Sequence, residues 1–193
     1  HHANTSVGDG RLTFARPERE NCDGYAYDPE HPSQHIIDMS ENEIEVPEDY
    51  TREELRQDLL CYTSPVLKEN LVLTGDMTAE LYISSDAPDT DFVVRVTDVD
   101  GRSIKLADGL LSARYRNGFA RSEFLQEGEI VCLKIRTTKL SNCFRKGHRI
   151  RVTVTSSAKN FIFPNSNTRE GFASARTVVA HNRVYHGGLH ASR

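Results

Sequence analysis

Tryptophan is absent from the 193 residues, and aromatic side chains make up only 8% of them. The chain therefore lacks the broadest platform on which a flat ligand can stack. No apolar run approaches the roughly 20 residues needed to span a bilayer, so no membrane partner is expected, and no signal peptide is visible. There is no excess of positive charge. Lys and Arg number 24 against 28 Asp and Glu, a net charge of -4, which gives a polyanion no attraction and argues against nucleic acid as a partner. Cys22, Cys61, Cys132 and Cys143 show no Cys-x-x-Cys spacing, so neither a zinc knuckle nor a redox dithiol is indicated. A chain of this length buries a core without staples, and free thiols point to a reducing, cytoplasmic compartment. No Gly-x-Ser-x-Gly string occurs, so no serine is presented on the strained strand-to-helix turn of a nucleophile elbow.

What the chain does contain is alternation. In His148–Thr155, Ile150, Val152 and Val154 alternate with Arg149, Arg151, Thr153 and Thr155, a half-buried strand with the aliphatic set inward and the others facing solvent. On that register Val152→Asp is expected to unfold the domain and Thr153→Asp to be mild. Further strands are expected near Leu71–Leu73, Met77–Ser84, Phe92–Val99, Ser103–Leu106, Leu110–Arg116, Glu129–Arg136 and Ala175–Tyr185. Asp100-Gly101, Asp108-Gly109 and Asn117-Gly118 read as tight turns between them. Thr51, with Glu54 three residues on, forms a capping box for one short helix at 52–58. Residues 10–50 read as an irregular arm, with Pro17, Pro29, Pro32 and Pro47 and few apolar residues. His1-His2 reads as the remnant of a purification tag. Residues 1–9 are accordingly set aside as tag or linker, and the chain is expected to be a piece of a longer one. Many short strands with almost no helix imply an all-β sandwich or barrel over 51–193.

An ordered set of strings carries a resemblance. It runs Tyr25-Ala-Tyr-Asp-Pro29, Leu60-Cys-Tyr-Thr-Ser-Pro65, Leu73-Thr-Gly75, Asp89-Thr-Asp-Phe92, Ala113-Arg-Tyr-Arg116, Phe144-Arg-Lys-Gly-His-Arg-Ile-Arg151, Phe163-Pro-Asn165 and His190-Ala-Ser192. In this order and spacing the chain resembles the C-terminal jelly-roll domain of the cocaine-esterase (CocE/NonD) and X-Pro dipeptidyl-peptidase group of serine hydrolases. The turn after Val99 is shorter than is common there, and the chain stops at Arg193, where that group usually adds a short apolar strand. The resemblance implies a galactose-binding-domain-like jelly-roll sandwich over residues 10–193. It also implies α/β-hydrolase and cap domains elsewhere in the parent chain, carrying a Ser-Asp-His triad that cleaves acyl esters or amides. This piece would then be catalytically inactive. It would cover the hydrolase domain, shape the edge of the cleft and contribute to a homo-oligomer contact. No cofactor is implied. A free-standing module binding carbohydrate or another ligand is the alternative, because jelly rolls also serve that purpose.

Within the chain, the resemblance places the arm after the Tyr-x-Tyr-Asp-Pro string near the cleft. It makes Tyr27, His31, Ile36, Ile37 and Met39 candidates for a cleft wall or domain interface. Asp86, Asp89, Asp91, Asp98 and Asp100 invite a calcium reading, but only Asp98-x-Asp100-Gly101 matches a calcium loop, and turn bonds or pairing with Arg95, Arg114 or Arg116 are preferred. Arg114 and Arg116, two apart on the expected strand, share a face and offer guanidinium forks to Asp89, Asp91 or Asp98. His148 is read as a turn hydrogen-bonder. His181, His186 and His190 are read as structural, because an odd separation puts the first two on opposite strand faces. No metal is expected.

Overall fold

The computed structural model describes residues 2–36 and 47–193. Ten strands carry the fold: β1 (Asn21–Tyr27), β2 (Leu59–Thr63), β3 (Leu71–Gly75), β4 (Thr78–Ser85), β5 (Asp91–Asp100), β6 (Arg102–Ser112), β7 (Val131–Arg136), β8 (Leu140–Phe144), β9 (Arg149–Thr155) and β10 (Ala180–His186). They form two four-stranded antiparallel sheets, β1-β10-β4-β7 and β2-β9-β5-β6, with β3 and β8 paired as a separate ribbon. Apart from the β5–β6 hairpin and the β3–β8 ribbon, successive strands pass from one sheet to the other, and the last strand of each sheet slots between earlier ones. That order is a jelly roll, in which two Greek keys are folded over one core.

The core lies where the inner faces meet. Leu60, Phe92, Val94 and Val154 of one sheet pack against Tyr25, Tyr27, Leu81, Ile83, Leu133, Ile135 and Val184 of the other. Period two puts each of these on the face its strand turns inward.

Several elements differ from expectation, each for a physical reason. Residues 103–116 are not two strands. β6 runs unbroken through Asp108-Gly109, and Gly109 is there because a Cβ would lie 2.4 Å from the carbonyl oxygen of Arg136. The turn at Asp100-Gly101 does join β5 to β6, with Gly101 at φ 69°. The expected helix at 52–58 is a single 3-10 turn, Glu53–Leu55. Thr51 does not cap it, because its hydroxyl bonds Asp49 at 2.5 Å and receives the Ser103 amide at 2.9 Å. Residues 175–179 precede the last strand rather than opening it. β1, β2 and β8 fall where no strand was expected: β1 pairs over its full length with β10, β2 with β9, and β8 with β3.

Residues 2–9, set aside as tag or linker, belong to the domain. Ala3 is buried in the core, its carbonyl accepts the Cys61 amide at 2.7 Å, and the Gly10 carbonyl accepts that of Thr63 at 3.1 Å. This segment covers the free edge of β2, which would otherwise expose unpaired backbone groups.

The largest correction concerns β9. Its outer face is as buried as its inner one: Arg151, Thr153 and Thr155 are enclosed, whereas Ile150 and Val152 are only half-buried. The reason is the arm. Described residues of 28–58 lie across the outside of the β2-β9-β5-β6 sheet and convert a solvent face into a second, polar interior.

Candidate functional site

Jelly-roll connectivity gathers four connections at one end of the sandwich: β1–β2 (described over 28–36 and 47–58), β4–β5 (86–90), β6–β7 (113–130) and β9–β10 (156–179). Asp89, at the foot of this end, is fully buried. Its carboxylate accepts the Arg114 backbone amide at 2.9 Å, the Arg114 Nε at 2.7 Å and the Asn165 Nδ2 at 2.7 Å. The same Asn165 amide donates to Asp91 Oδ1 at 2.9 Å. Burial raises the Asp91 carboxyl above its ordinary pKa, while bonds from Ser112 and Asn165 and the Arg114 charge oppose the shift. Arg114 then reaches outward, its Nη1 to the Arg169 carbonyl and its Nη2 to that of Thr168, both at 3.0 Å. The guanidinium groups of Arg114 and Arg169 both lie over the Phe124 ring, 5.1 and 4.6 Å from its centroid. Three of the four connections are thereby tied to one buried carboxylate.

Arg114 and Arg116 do not share a face, because residues 113–115 turn as a 3-10 element rather than continuing a strand. Arg116 instead holds the Ala113 and Glu123 carbonyls within its own loop. Asp98 pairs with none of the three arginines. It accepts from His148 Nδ1 at 2.9 Å, with Asp100 3.3 Å from the other ring nitrogen, which ties the β5–β6 turn to the start of β9. The five aspartates therefore do not converge: Asp91 and Asp98 sit toward opposite ends of β5, and Asp86 pairs with His181 at 2.7 Å. Among the described residues no group of three or more His, Cys, Asp or Glu side chains is arranged to hold a metal. His186 and His190 pair separately with Asp23 and Glu20.

The cleft candidates scatter. Tyr27 lies in the core, 0% exposed, with a hydroxyl that finds no partner and is pushed up in pKa by burial. It is thus not a surface residue of this domain. His31 is exposed and bonds Asp28 at 2.9 Å. Ile36 is partly exposed, its amide donating to the Tyr50 hydroxyl at 3.1 Å. Ile37 and Met39 lie outside the described residues.

Local spacing did not reveal the polar interior beneath the arm. Arg95 is buried under the Tyr50 ring, 4.6 Å from its centroid, and donates to the Ser157 carbonyl at 3.3 Å. Glu54 pairs with Arg151 and accepts from the Ser103 hydroxyl at 2.8 Å. Burial raises its carboxyl, against the pull of Arg151. Lys105 lies 2.7 Å from Glu48, 2.9 Å from Asp108 and 2.8 Å from His35 Nε2. Burial alone would push the Asp108 carboxyl up, but the bonds from His35 and Lys105 and the Lys105 charge hold it at about 2. The one local signal was a charged Arg95 inside the apolar run Phe92–Val96. The Glu54–Arg151 and Lys105–Glu48 pairs, with Tyr50 over Arg95, fasten the arm to the sheet.

The fold and these sites define a class: a jelly-roll module whose buried carboxylates Glu54, Asp89 and Asp108 are each paired with a cation of the domain itself. The chain belongs to the X-Pro dipeptidyl-peptidase C-terminal non-catalytic domain family, whose model matches residues 1–193. It is 38% identical over 199 residues to the cocaine esterase of Rhodococcus sp. (strain MB1 Bresler), covering 98% of this chain and 34% of the esterase. An aminopeptidase from a marine sediment archaeon, Thaumarchaeota archaeon, superposes with a TM-score of 0.87 at 26% identity, over 95% of this chain and 34% of that one. An α-amino acid ester hydrolase shares the fold, with a TM-score of 0.80 at 22% identity over 89% of this chain and 31% of its own. The chain spans about a third of the length of these relatives. No helix among the described residues is long and apolar enough to cross a membrane.

Proposed function

We propose that this module is the non-catalytic C-terminal part of a serine hydrolase that cleaves acyl esters or amides through an acyl-enzyme. The nucleophile, base and orienting acid would reside in an α/β-hydrolase domain outside these residues. The observation that carries the reading is the family match over the whole chain, coupled with a span of only 34% of the related esterase. The module's part would be to cover the hydrolase domain and form one edge of the cleft. The solvent-facing residues of the arm, His31 and Ile36, with Ile37 and Met39 beyond the described residues, are the candidates for that edge. Tyr27 would support it from within.

The test is turnover of a p-nitrophenyl ester or an X-Pro amide. The full-length parent is expected to show it, and the 193-residue chain alone to stay at buffer background. A silent full-length parent, or turnover by the module alone, would contradict the assignment.

A further inference from the structure

The end of the sandwich that the Asp89–Arg114–Asn165 cluster braces carries most of the exposed phenylalanines. Among the described residues five are exposed: Phe14, Phe119, Phe161, Phe163 and Phe172. All but Phe14 lie on the β6–β7 and β9–β10 connections. Phe119, Phe163 and Phe172 are 80%, 79% and 75% exposed. The rings are not loose. Phe163 stacks on Phe172 with centroids 5.9 Å apart, and Phe119 leans on Tyr115 at 5.5 Å. Phe172 follows Gly171 in the 3-10 turn at 171–173, beside the Arg114 guanidinium that joins the two connections.

From this we infer that the face bearing Phe119, Phe163 and Phe172 is the seat of the rest of the parent chain, its hydrolase part. The inference rests on the function proposed above and names the surface that function requires. Single exposed apolar residues need no explanation, but two surface aromatic pairs, Phe163–Phe172 and Tyr115–Phe119, on connections that Arg114 ties together mark a covered surface. Here the aromatics sit on loops held from below by buried charge-assisted hydrogen bonds. Such loops meet a partner with little ordering left to do, which is how rigid aromatic anchors contribute to an interface. A partner is available in the same chain, since about two-thirds of the related esterase lies outside the matched segment. Domains within one chain commonly meet over faces that are partly apolar and rimmed by polar groups. The rim is present: Arg121 is exposed, as is Glu170 beside Phe172.

The test uses the full-length parent carrying Phe163→Ser with Phe172→Ser, and separately Phe119→Ser. Val72→Ser, exposed on the β3–β8 ribbon, serves as the control. Because these side chains are mostly exposed, the substitutions remove only the Phe163–Phe172 and Tyr115–Phe119 ring contacts and leave the module's core packing intact. Calorimetry and limited proteolysis between the module and the preceding part are then compared. The phenylalanine variants are expected to split one cooperative transition into two and to raise the cleavage rate at least tenfold, with Val72→Ser unchanged. Unaltered cooperativity and cleavage in the phenylalanine variants would overturn the inference. So would loss of oligomer mass with the transition intact, which would make a second copy the occupant. If the parent's upstream sequence holds no hydrolase domain, the functional reading fails before any variant is made.

Discussion

Asp108 is the single side chain whose ionisation says most about the second, polar interior. It lies between Lys105 and His35 under the arm, and its carboxyl is held at about 2. A folded pKa below the unfolded value of about 3.9 gives stability that is present above that value and lost as pH falls through 2. The shift corresponds to at most about 2 kcal/mol, since the group keeps some contact with solvent. Asp108→Asn is expected to lower stability at pH 7 by about 1–2 kcal/mol. In denaturant titrations the gap between parent and variant should close as pH drops from about 4 to about 2; a gap independent of pH would show that the carboxylate does not carry it. Thr153 teaches the same lesson without charge. Alternation alone puts it outward, yet it is 1% exposed, because the arm lies over it. A period-two pattern tells which residues share a face but not what a distant segment lays on that face. In the Asp89 cluster the Arg114 pairing was among those the sequence suggested, but the third partner, Asn165, was not, since it is 76 residues away.

Strands that alternate cleanly were legible as elements: β5, β7 and β9 lie close to where their aliphatic residues place them. β1 was not. Its sequence, Asn-Cys-Asp-Gly-Tyr-Ala-Tyr, has poor strand propensity, and it is a strand because β10 offers it an edge. β6 fails in the opposite direction, since Asp108-Gly109 has the composition of a turn but serves a close backbone approach. Gly109→Ala would set a Cβ 2.4 Å from the Arg136 carbonyl oxygen and 3.0 Å from the Thr137 Cα, both of them backbone. Relief requires β6 and the end of β7 to separate, so a loss of roughly 1–3 kcal/mol is expected from the denaturation midpoint. A neutral substitution there would mean that the contact between the two sheets is looser than described.

At the scale of the whole molecule, the two sheets, the arm and the braced loop end form a body that binds itself well and displays aromatics at one end. The fold class was readable because many short alternating segments admit few architectures. That the chain works as part of something larger came from the resemblance of ordered strings, and the family match and the limited span support it. The central consequence of the proposed function is that the reactive serine would lie outside residues 1–193. The most direct measurement is to label the full-length parent with a serine-directed phosphonate and map the modified peptide by mass spectrometry. One stoichiometric adduct is expected, on a serine outside residues 1–193, with loss of all ester turnover. An adduct on a serine within these 193 residues, accompanied by the same loss, would contradict the proposed function.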